Sequence, residues 1–366
     1  MEPVRAVATA PPTIPSASGE ALAFDGRSGV TDRMGRALRD LRISVTDRCN
    51  FRCPYCMPAE VFGRDFAFLP HDQVLTFEEI TRLARLFVGL GVTKLRITGG
   101  EPLVRRDLPV LIGSLASIGT ADGVPVDLTL TTNGSALRPL AGPLTEAGLQ
   151  RITVSVDSLD DETARAMNGV DFPIARVMDG IAAAREAGLS PIKINTVVRR
   201  GLNESSILPL ARWARDEGLI LRFLEDMDVG TANGWRLDDV VPAEEILATI
   251  DAELPLEPVA ANYRGEVAGR YRYRDGSAEV GVIASVTRPF CGDCTRARLS
   301  ADGHLYTCLF ATRGTDLKTP LRDGESDTQL EDRIRAVWGA RADRYSELRS
   351  EATERLPKIE MFALGG

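Results

Sequence analysis

Leu41-Arg42-Ile43-Ser44-Val45-Thr46-Asp47-Arg48-Cys49-Asn50-Phe51-Arg52-Cys53-Pro54-Tyr55-Cys56 joins two patterns. Residues 41–45 form a short run that predicts a strand, and three cysteines in Cys-x3-Cys-x2-Cys spacing follow it directly. The chain has six cysteines, and the other three, Cys291, Cys294 and Cys308, follow Cys-x2-Cys-x13-Cys spacing. An iron-sulfur cube ligated by four thiolates is coordinatively complete, whereas one held by three keeps an iron open to a small molecule. Two such triplets predict two open metal sites.

Structural zinc is the competing reading, because the only two histidines, His71 and His304, each lie near enough in sequence to complete one triplet. Spacing argues against zinc for the first triplet, since zinc knuckles usually pair cysteines with a second pair well downstream. Cys291, Cys294, Cys308 and His304 taken alone leave zinc and cluster equally open. Disulfides would need an oxidising compartment. Residues 1–19 are rich in Ala, Pro, Thr and Ser and lack the apolar core of a secretory signal, so a cytoplasmic protein with reduced thiols is expected. No stretch approaches the roughly twenty apolar residues of a membrane span.

A chain of 366 residues with 44% hydrophobic content can hold one large α/β domain and a smaller one. Its net charge of -8 offers no electrostatic reason to expect nucleic acid or an anionic membrane as partner, so any basic site must be local. Residues 1–22 read as a disordered tail with too little apolar surface to offset the entropy of ordering.

From residue 41 onward, strand-like runs at 41–45, 94–98, 126–131, 151–156, 191–198 and 219–224 alternate with amphipathic stretches, which predicts six βα units. Thr76 and Glu79 form a capping-box pattern ahead of Ile80, Leu83, Ala84, Phe87 and Leu90 at helical spacing, and Gly91 closes that helix. Right-handed crossovers curl such a sheet toward an incomplete (βα)6 TIM-like barrel with its reactive groups at the C-terminal strand edge. The segments expected there are the cysteine loop, Gly99-Gly100-Glu101-Pro102, Thr132-Asn133-Gly134, Asp157-Ser158, Asn195-Thr196 and Glu225-Asp226-Met227-Asp228. The alternation ends near residue 255. Residues 23–255 are therefore expected to form the barrel and residues 256–366 a smaller, β-rich C-terminal domain, in which a turn at Ala301-Asp302-Gly303 returns Cys308 beside Cys294.

The first cysteine triplet, with an aromatic residue before its last cysteine, resembles the radical S-adenosylmethionine (SAM) superfamily. Three ordered segments narrow the resemblance: Arg42 through Cys53, Arg96-Ile97-Thr98-Gly99-Gly100-Glu101-Pro102-Leu103-Val104-Arg105-Arg106-Asp107, and Phe290-Cys291-Gly292-Asp293-Cys294-Thr295-Arg296-Ala297-Arg298-Leu299. Together they resemble the GTP 3',8-cyclase family of molybdenum cofactor biosynthesis over about residues 30–366. The resemblance implies a radical SAM lyase that forms (8S)-3',8-cyclo-7,8-dihydroguanosine 5'-triphosphate: a 5'-deoxyadenosyl radical removes the ribose C3' hydrogen and the carbon radical attacks guanine C8. It implies 4Fe-4S clusters on Cys49, Cys53 and Cys56 and on Cys291, Cys294 and Cys308. SAM contacts fall to Tyr55, Gly100, Ser155 and Met227, and GTP contacts to Arg42, Arg96, Thr131, Lys193, Arg296 and Arg298. The terminal Gly365-Gly366 resembles the family's glycine pair, which reaches into the active site and joins Arg296 and Arg298 as catalytic residues. A homodimer and a downstream cyclic pyranopterin monophosphate synthase are implied as partners, and the electron donor is left open.

Physical reasoning supports part of this set independently. Arg42, Arg96 and Lys193 lie in parallel strands, whose buried positions are normally apolar. Arg222 shares that property, though its facing is open. Without the resemblance, Thr131 and Ser155 read equally well as cross-strand packing, Met227 reads as core, and two terminal glycines read as a frayed end. Two rival functions remain: a radical SAM peptide-modifying enzyme with an auxiliary cluster, and a non-enzymatic protein with two zinc ions.

Overall fold

The structure is a computed structural model and describes residues 29–349 and 358–365; the 1–22 tail and Gly366 lie outside these. Six parallel strands form its centre: β1 (Asp40–Ser44), β2 (Lys94–Thr98), β3 (Asp127–Thr132), β4 (Arg151–Ser155), β5 (Ile192–Val198) and β6 (Ile220–Glu225). Between them run α1 (Phe77–Gly89), α2 (Leu108–Ala116), α3 (Leu137–Glu146), α4 (Asp161–Asn168), α5 (Ile174–Glu186) and α6 (Ile207–Asp216), and α7 (Ala243–Asp251) follows β6. The expected capping box is present on α1, with Thr76 accepting from the Glu79 amide and the Glu79 side chain accepting from the Thr76 amide. This is the incomplete (βα)6 barrel the alternation predicts.

The C-terminal residues add β7 (Leu256–Val259), β8 (Gly269–Tyr273), β9 (Glu279–Ile283), β10 (Arg296–Leu299), β11 (His304–Tyr306) and β12 (Thr315–Asp316), then α8 (Lys318–Arg322), α9 (Asp327–Gly339) and α10 (Met361–Leu364). Their strands do not form a sheet of their own. One twelve-stranded sheet runs β12-β11-β10-β1-β2-β3-β4-β5-β6-β9-β8-β7. β10 lies parallel beside β1 and β9 parallel beside β6, so the smaller C-terminal region extends the barrel at both edges.

Parallel strands covered on both faces usually read as continuous apolar runs. Here they alternate. Leu41, Ile43, Leu95, Ile97, Leu128, Leu130, Ile152, Val154, Ile192, Ile194, Leu221 and Phe223 join the main apolar core. The intervening residues line the barrel interior, among them Arg42, Arg96, Thr131, Ser155, Asn195 and Arg222. Strand register then stacks charge in rows, pairing Arg298 with Arg42 and Arg42 with Arg96 across three adjacent strands. A polar interior of this kind requires something polar to fill it.

Candidate active site

All six cysteines are free and half-buried, and all six line one cavity of about 250 Å³ at the C-terminal end of the barrel. Its wall also includes Tyr55, Gly100, Ser155, Met227, Arg42, Arg96, Thr131, Arg296 and Arg298. Of the described residues expected to contact cofactor or substrate or to ligate a cluster, only Lys193 and Gly365 are absent from that lining. Lys193 lies in a second cavity of about 560 Å³, built from the N-terminal ends of the strands. Arg42, Arg96, Arg222 and Arg296 border both chambers.

The first cysteine loop is held by its own neighbours. Arg52 donates to the carbonyls of Cys49 (2.7 Å), Phe51 (2.8 Å) and Phe62 (2.6 Å), and the Cys56 and Met57 amides donate to the Cys53 carbonyl. Gly100 lies against this loop: its amide donates to the Thr46 carbonyl (2.7 Å), and a Cβ at Gly100 would stand 2.4 Å from the Arg48 carbonyl oxygen. Gly100→Ala should therefore push the two loops apart, destabilising the apoprotein by about 1–3 kcal/mol and weakening SAM binding. Thermal unfolding and a SAM titration check this, and unchanged values in both would show that the loops have slack. Beside Gly100, buried Glu101 accepts from Thr132 Oγ1 (2.6 Å) and from the Asn133 (2.7 Å) and Leu103 (3.0 Å) amides, which ties the ends of β2 and β3 together. Burial raises its carboxyl to about 7. The Tyr55 hydroxyl donates to Asp157 Oδ2 at 2.8 Å, so the tyrosine is tethered through its phenol to the end of β4.

The second triplet is backed by more cations than the first, whose loop has Arg52. Arg36 Nη1 donates to the Cys291 carbonyl (2.7 Å) and Arg341 Nη1 to the Cys294 carbonyl (2.7 Å), while buried Asp32 pairs with Arg36 at 2.5 Å and with Arg341 at 3.4 Å. Arg296 Nη2 reaches Cys294 Sγ at 3.4 Å. Burial alone would raise the Cys294 thiol, but the charges of Arg296 and Arg341 outweigh it and bring the thiol down to about 6. In the first triplet, burial dominates and raises Cys49 to about 12, with Cys53 and Cys56 also raised.

The donor sets suit clusters better than single ions. Among the described residues, no three His, Cys, Asp or Glu side chains converge on a point that could hold one metal ion. A cube instead spreads its thiolates over separate irons. His304 pairs with Asp302 through Nδ1 at 3.0 Å, and among the described residues it forms no metal-holding group with the cysteines of the second triplet.

Between the two triplets the positive charge is crowded and incompletely paired. Nε of Arg42, Arg96, Arg222 and Arg296 and the side-chain oxygens of Asn195 and Ser285 are buried without a hydrogen-bond partner. Burial first, then the charge of Arg298, Arg96 and Arg296, lowers Arg42 well below its usual range. Burial and the Arg296 charge bring Arg298 to about 10, and burial and the Arg96 charge bring Arg222 to about 9. In the lower chamber, burial takes Lys94 and Lys193 to about 8. Such a set is stabilised by a polyanion. Reading the sequence had left out Lys94 and Arg151, which join Lys193 in that chamber. Period-two alternation carries the signal, since each stands two residues before a residue of the upper wall or lumen, Arg96 and Thr153. Arg36 and Arg341 carry no comparable local signal.

The C-terminal segment returns to this cavity. Phe362 packs on Phe62 with ring centroids 5.0 Å apart, beside Cys49 and Cys56. Arg298 Nη1 donates to the carbonyls of Leu364 (3.2 Å) and Gly365. Gly365 adopts φ 71°, and a Cβ there would stand 2.4 Å from Thr98 Cγ2, so only glycine fits. The expected partner of Gly365, Gly366, lies outside the described residues.

Two family profiles match the chain: the Radical SAM superfamily over residues 43–214 and Molybdenum Cofactor Synthesis C over residues 219–347. Proteins named GTP 3',8-cyclase resemble it over nearly their whole length. That of Acidothermus cellulolyticus is 54% identical over 325 residues, covering 88% of this chain and 89% of the relative. That of Xanthomonas campestris pv. campestris is 53% identical over 335 residues, covering 92% and 97%. A Staphylococcus saprophyticus relative is 46% identical over 341 residues, covering 92% and 99%. Among solved structures, Streptococcus suis SuiB bound to S-adenosylmethionine superposes with a TM-score of 0.57 at 14% identity, covering 87% of this chain and 72% of that one, a likeness of fold alone.

Proposed function

The chain belongs to the GTP 3',8-cyclase family, and from that membership we propose how its two chambers carry out the family's reaction. It is a radical SAM lyase of molybdenum cofactor biosynthesis that cyclises GTP with two 4Fe-4S clusters and SAM. Cys49, Cys53 and Cys56 would hold one cluster and Cys291, Cys294 and Cys308 the other. When bound, the first supplies reductive cleavage of SAM to a 5'-deoxyadenosyl radical, which abstracts the C3' hydrogen so that C3' bonds to C8.

The residues of the chain bind, orient and exclude water. One observation carries the reading: both cysteine triplets open on a single cavity, and buried arginines with unpaired Nε atoms stand between them. Lys94, Arg151, Lys193 and Arg222 in the lower chamber take the triphosphate, whose charge relieves their mutual repulsion. Arg42, Arg96 and Arg296, which border both chambers, span the nucleotide from phosphate toward base. Thr131, which accepts from Arg96 Nη1 at 2.8 Å, keeps that guanidinium oriented. Tyr55, Gly100, Ser155 and Met227 line the SAM side. Arg298 and Gly365 close the wall between the reacting groups, and Phe362 shields the first cysteine loop from solvent.

The reading carries a cytoplasmic setting with it, because six free thiols and their clusters need a reducing compartment. No helix among the described residues is long and apolar enough to cross a membrane. A homodimer and product transfer to a downstream cyclic pyranopterin monophosphate synthase complete the proposal. Anaerobic, reconstituted protein given GTP, SAM and a strong reductant should release 5'-deoxyadenosine and a nucleotide with a C3'–C8 bond. SAM cleavage without nucleotide product, accompanied by modification of a peptide, would favour the rival radical enzyme.

A further inference from the structure

Asp228 is almost fully buried, and three donors meet on its carboxylate: Tyr345 Oη at 2.6 Å and Lys358 Nζ at 2.9 Å on Oδ2, and Arg349 Nη2 at 2.9 Å on Oδ1. All three come from one stretch of chain more than a hundred residues away. Lys358 Nζ also donates to the Asp228 carbonyl at 3.0 Å. Two residues beyond Lys358, Glu360 accepts from the Thr231 amide at 2.9 Å and from its hydroxyl at 3.0 Å, a second tie to the same loop after β6. The chain then runs through Phe362 to Gly365 on Arg298.

The position of this knot sets it apart from ordinary fold stabilisation. Met227, next to Asp228, lines the upper cavity, and so does Phe310, two residues from Cys308. Phe310 stacks on Tyr345 at 4.4 Å with an interplanar angle of 13°. One carboxylate thus joins the SAM wall, the second cysteine triplet and the root of the C-terminal segment. Removing one partner from such a buried network leaves the others exposed to the full penalty of unpaired charge.

We propose that Asp228 is a positioning residue, latching the C-terminal segment through Tyr345, Arg349 and Lys358 so that Gly365 stays on Arg298 and radical formation remains coupled to cyclisation. This rests on the reading that the segment takes part in the cyclisation. An unlatched segment would leave SAM cleavage possible while the cavity wall near Arg298 stands open to water.

The test compares Lys358→Met, Arg349→Met and Asp228→Asn with a full-length chain lacking only Gly365 and Gly366. Methionine keeps the apolar stem of each long side chain and removes its charge. Each anaerobically reconstituted protein is assayed for 5'-deoxyadenosine formed per cyclised nucleotide, and each is digested with carboxypeptidase while C-terminal trimming is followed by mass spectrometry. The latch variants should be trimmed about tenfold faster and raise the 5'-deoxyadenosine ratio about tenfold, at unchanged iron content. Wild-type trimming and wild-type coupling in both methionine variants would overturn the inference, and so would lost coupling without faster trimming. If only the glycine deletion uncouples the reaction, the latch fails and the role of the tail stands. If the deletion itself leaves coupling intact, the reading of the tail fails. Arg349 lies at the more exposed end of the knot, so its variant keeps the test open should Asp228→Asn not fold.

Discussion

Arg298→Ala should leave both clusters assembled and lower GTP cyclisation by roughly 10²–10³-fold, the cost of losing one preorganised donor at a reacting centre. Arg298 is buried on β10, paired in register with Arg42, and donates to the Leu364 and Gly365 carbonyls. Its removal frees the C-terminal segment and deletes one of the charges that hold Arg42 in its depressed state. Because Arg298 makes no contact with a cysteine sulfur among its hydrogen bonds, iron and sulfide content should match the wild type. Arg296→Ala differs, since Arg296 reaches Cys294 Sγ, and its second cluster should also show a changed spectroscopic signature. Product formation within a factor of about three of wild type in Arg298→Ala would remove it from the reacting centre.

Cys308→Ser should have the other large effect. Iron should fall from about eight to about four atoms per chain, because among the described residues no fourth side chain stands with the second triplet to substitute. Among the described residues His304 forms no metal-holding group with the second triplet, and the other two cysteines, Cys291 and Cys294, cannot alone retain a cube. Cyclisation should drop to background while SAM cleavage continues, since the first triplet keeps its own loop contacts through Arg52. Iron and sulfide analysis beside product quantification separates the outcomes. Full iron content with normal cyclisation would mean that Cys308 is no ligand.

Much of this site is legible along the chain because the governing patterns are local. Cysteine spacing identifies the donor sets, the capping box at Thr76 and Glu79 places α1, and glycines after β2 mark a close backbone approach. Lys94 and Arg151 share the lumen face with Arg96 and Thr153 but open their strands at the N-terminal end, whereas barrel chemistry is expected at the C-terminal edge. The boundary near residue 255 reflects a change in sequence texture, but β9 and β10 lie beside β6 and β1 in a single sheet. Strand pairing across such separations depends on which edges remain open once the first six strands have closed together.

Composition, spacing and periodicity settle the chemistry available to this chain: two incomplete thiolate sets, six βα units, and cations placed where apolar side chains are the rule. Folding decides what those groups face. Arg36 and Arg341 come from opposite ends of the sequence to brace the second cysteine pair, and Asp228 meets Arg349 and Lys358 across more than a hundred residues. No local pattern encodes such meetings, because a buried charge finds its partner only after the apolar faces have packed and the low-dielectric interior has made pairing necessary.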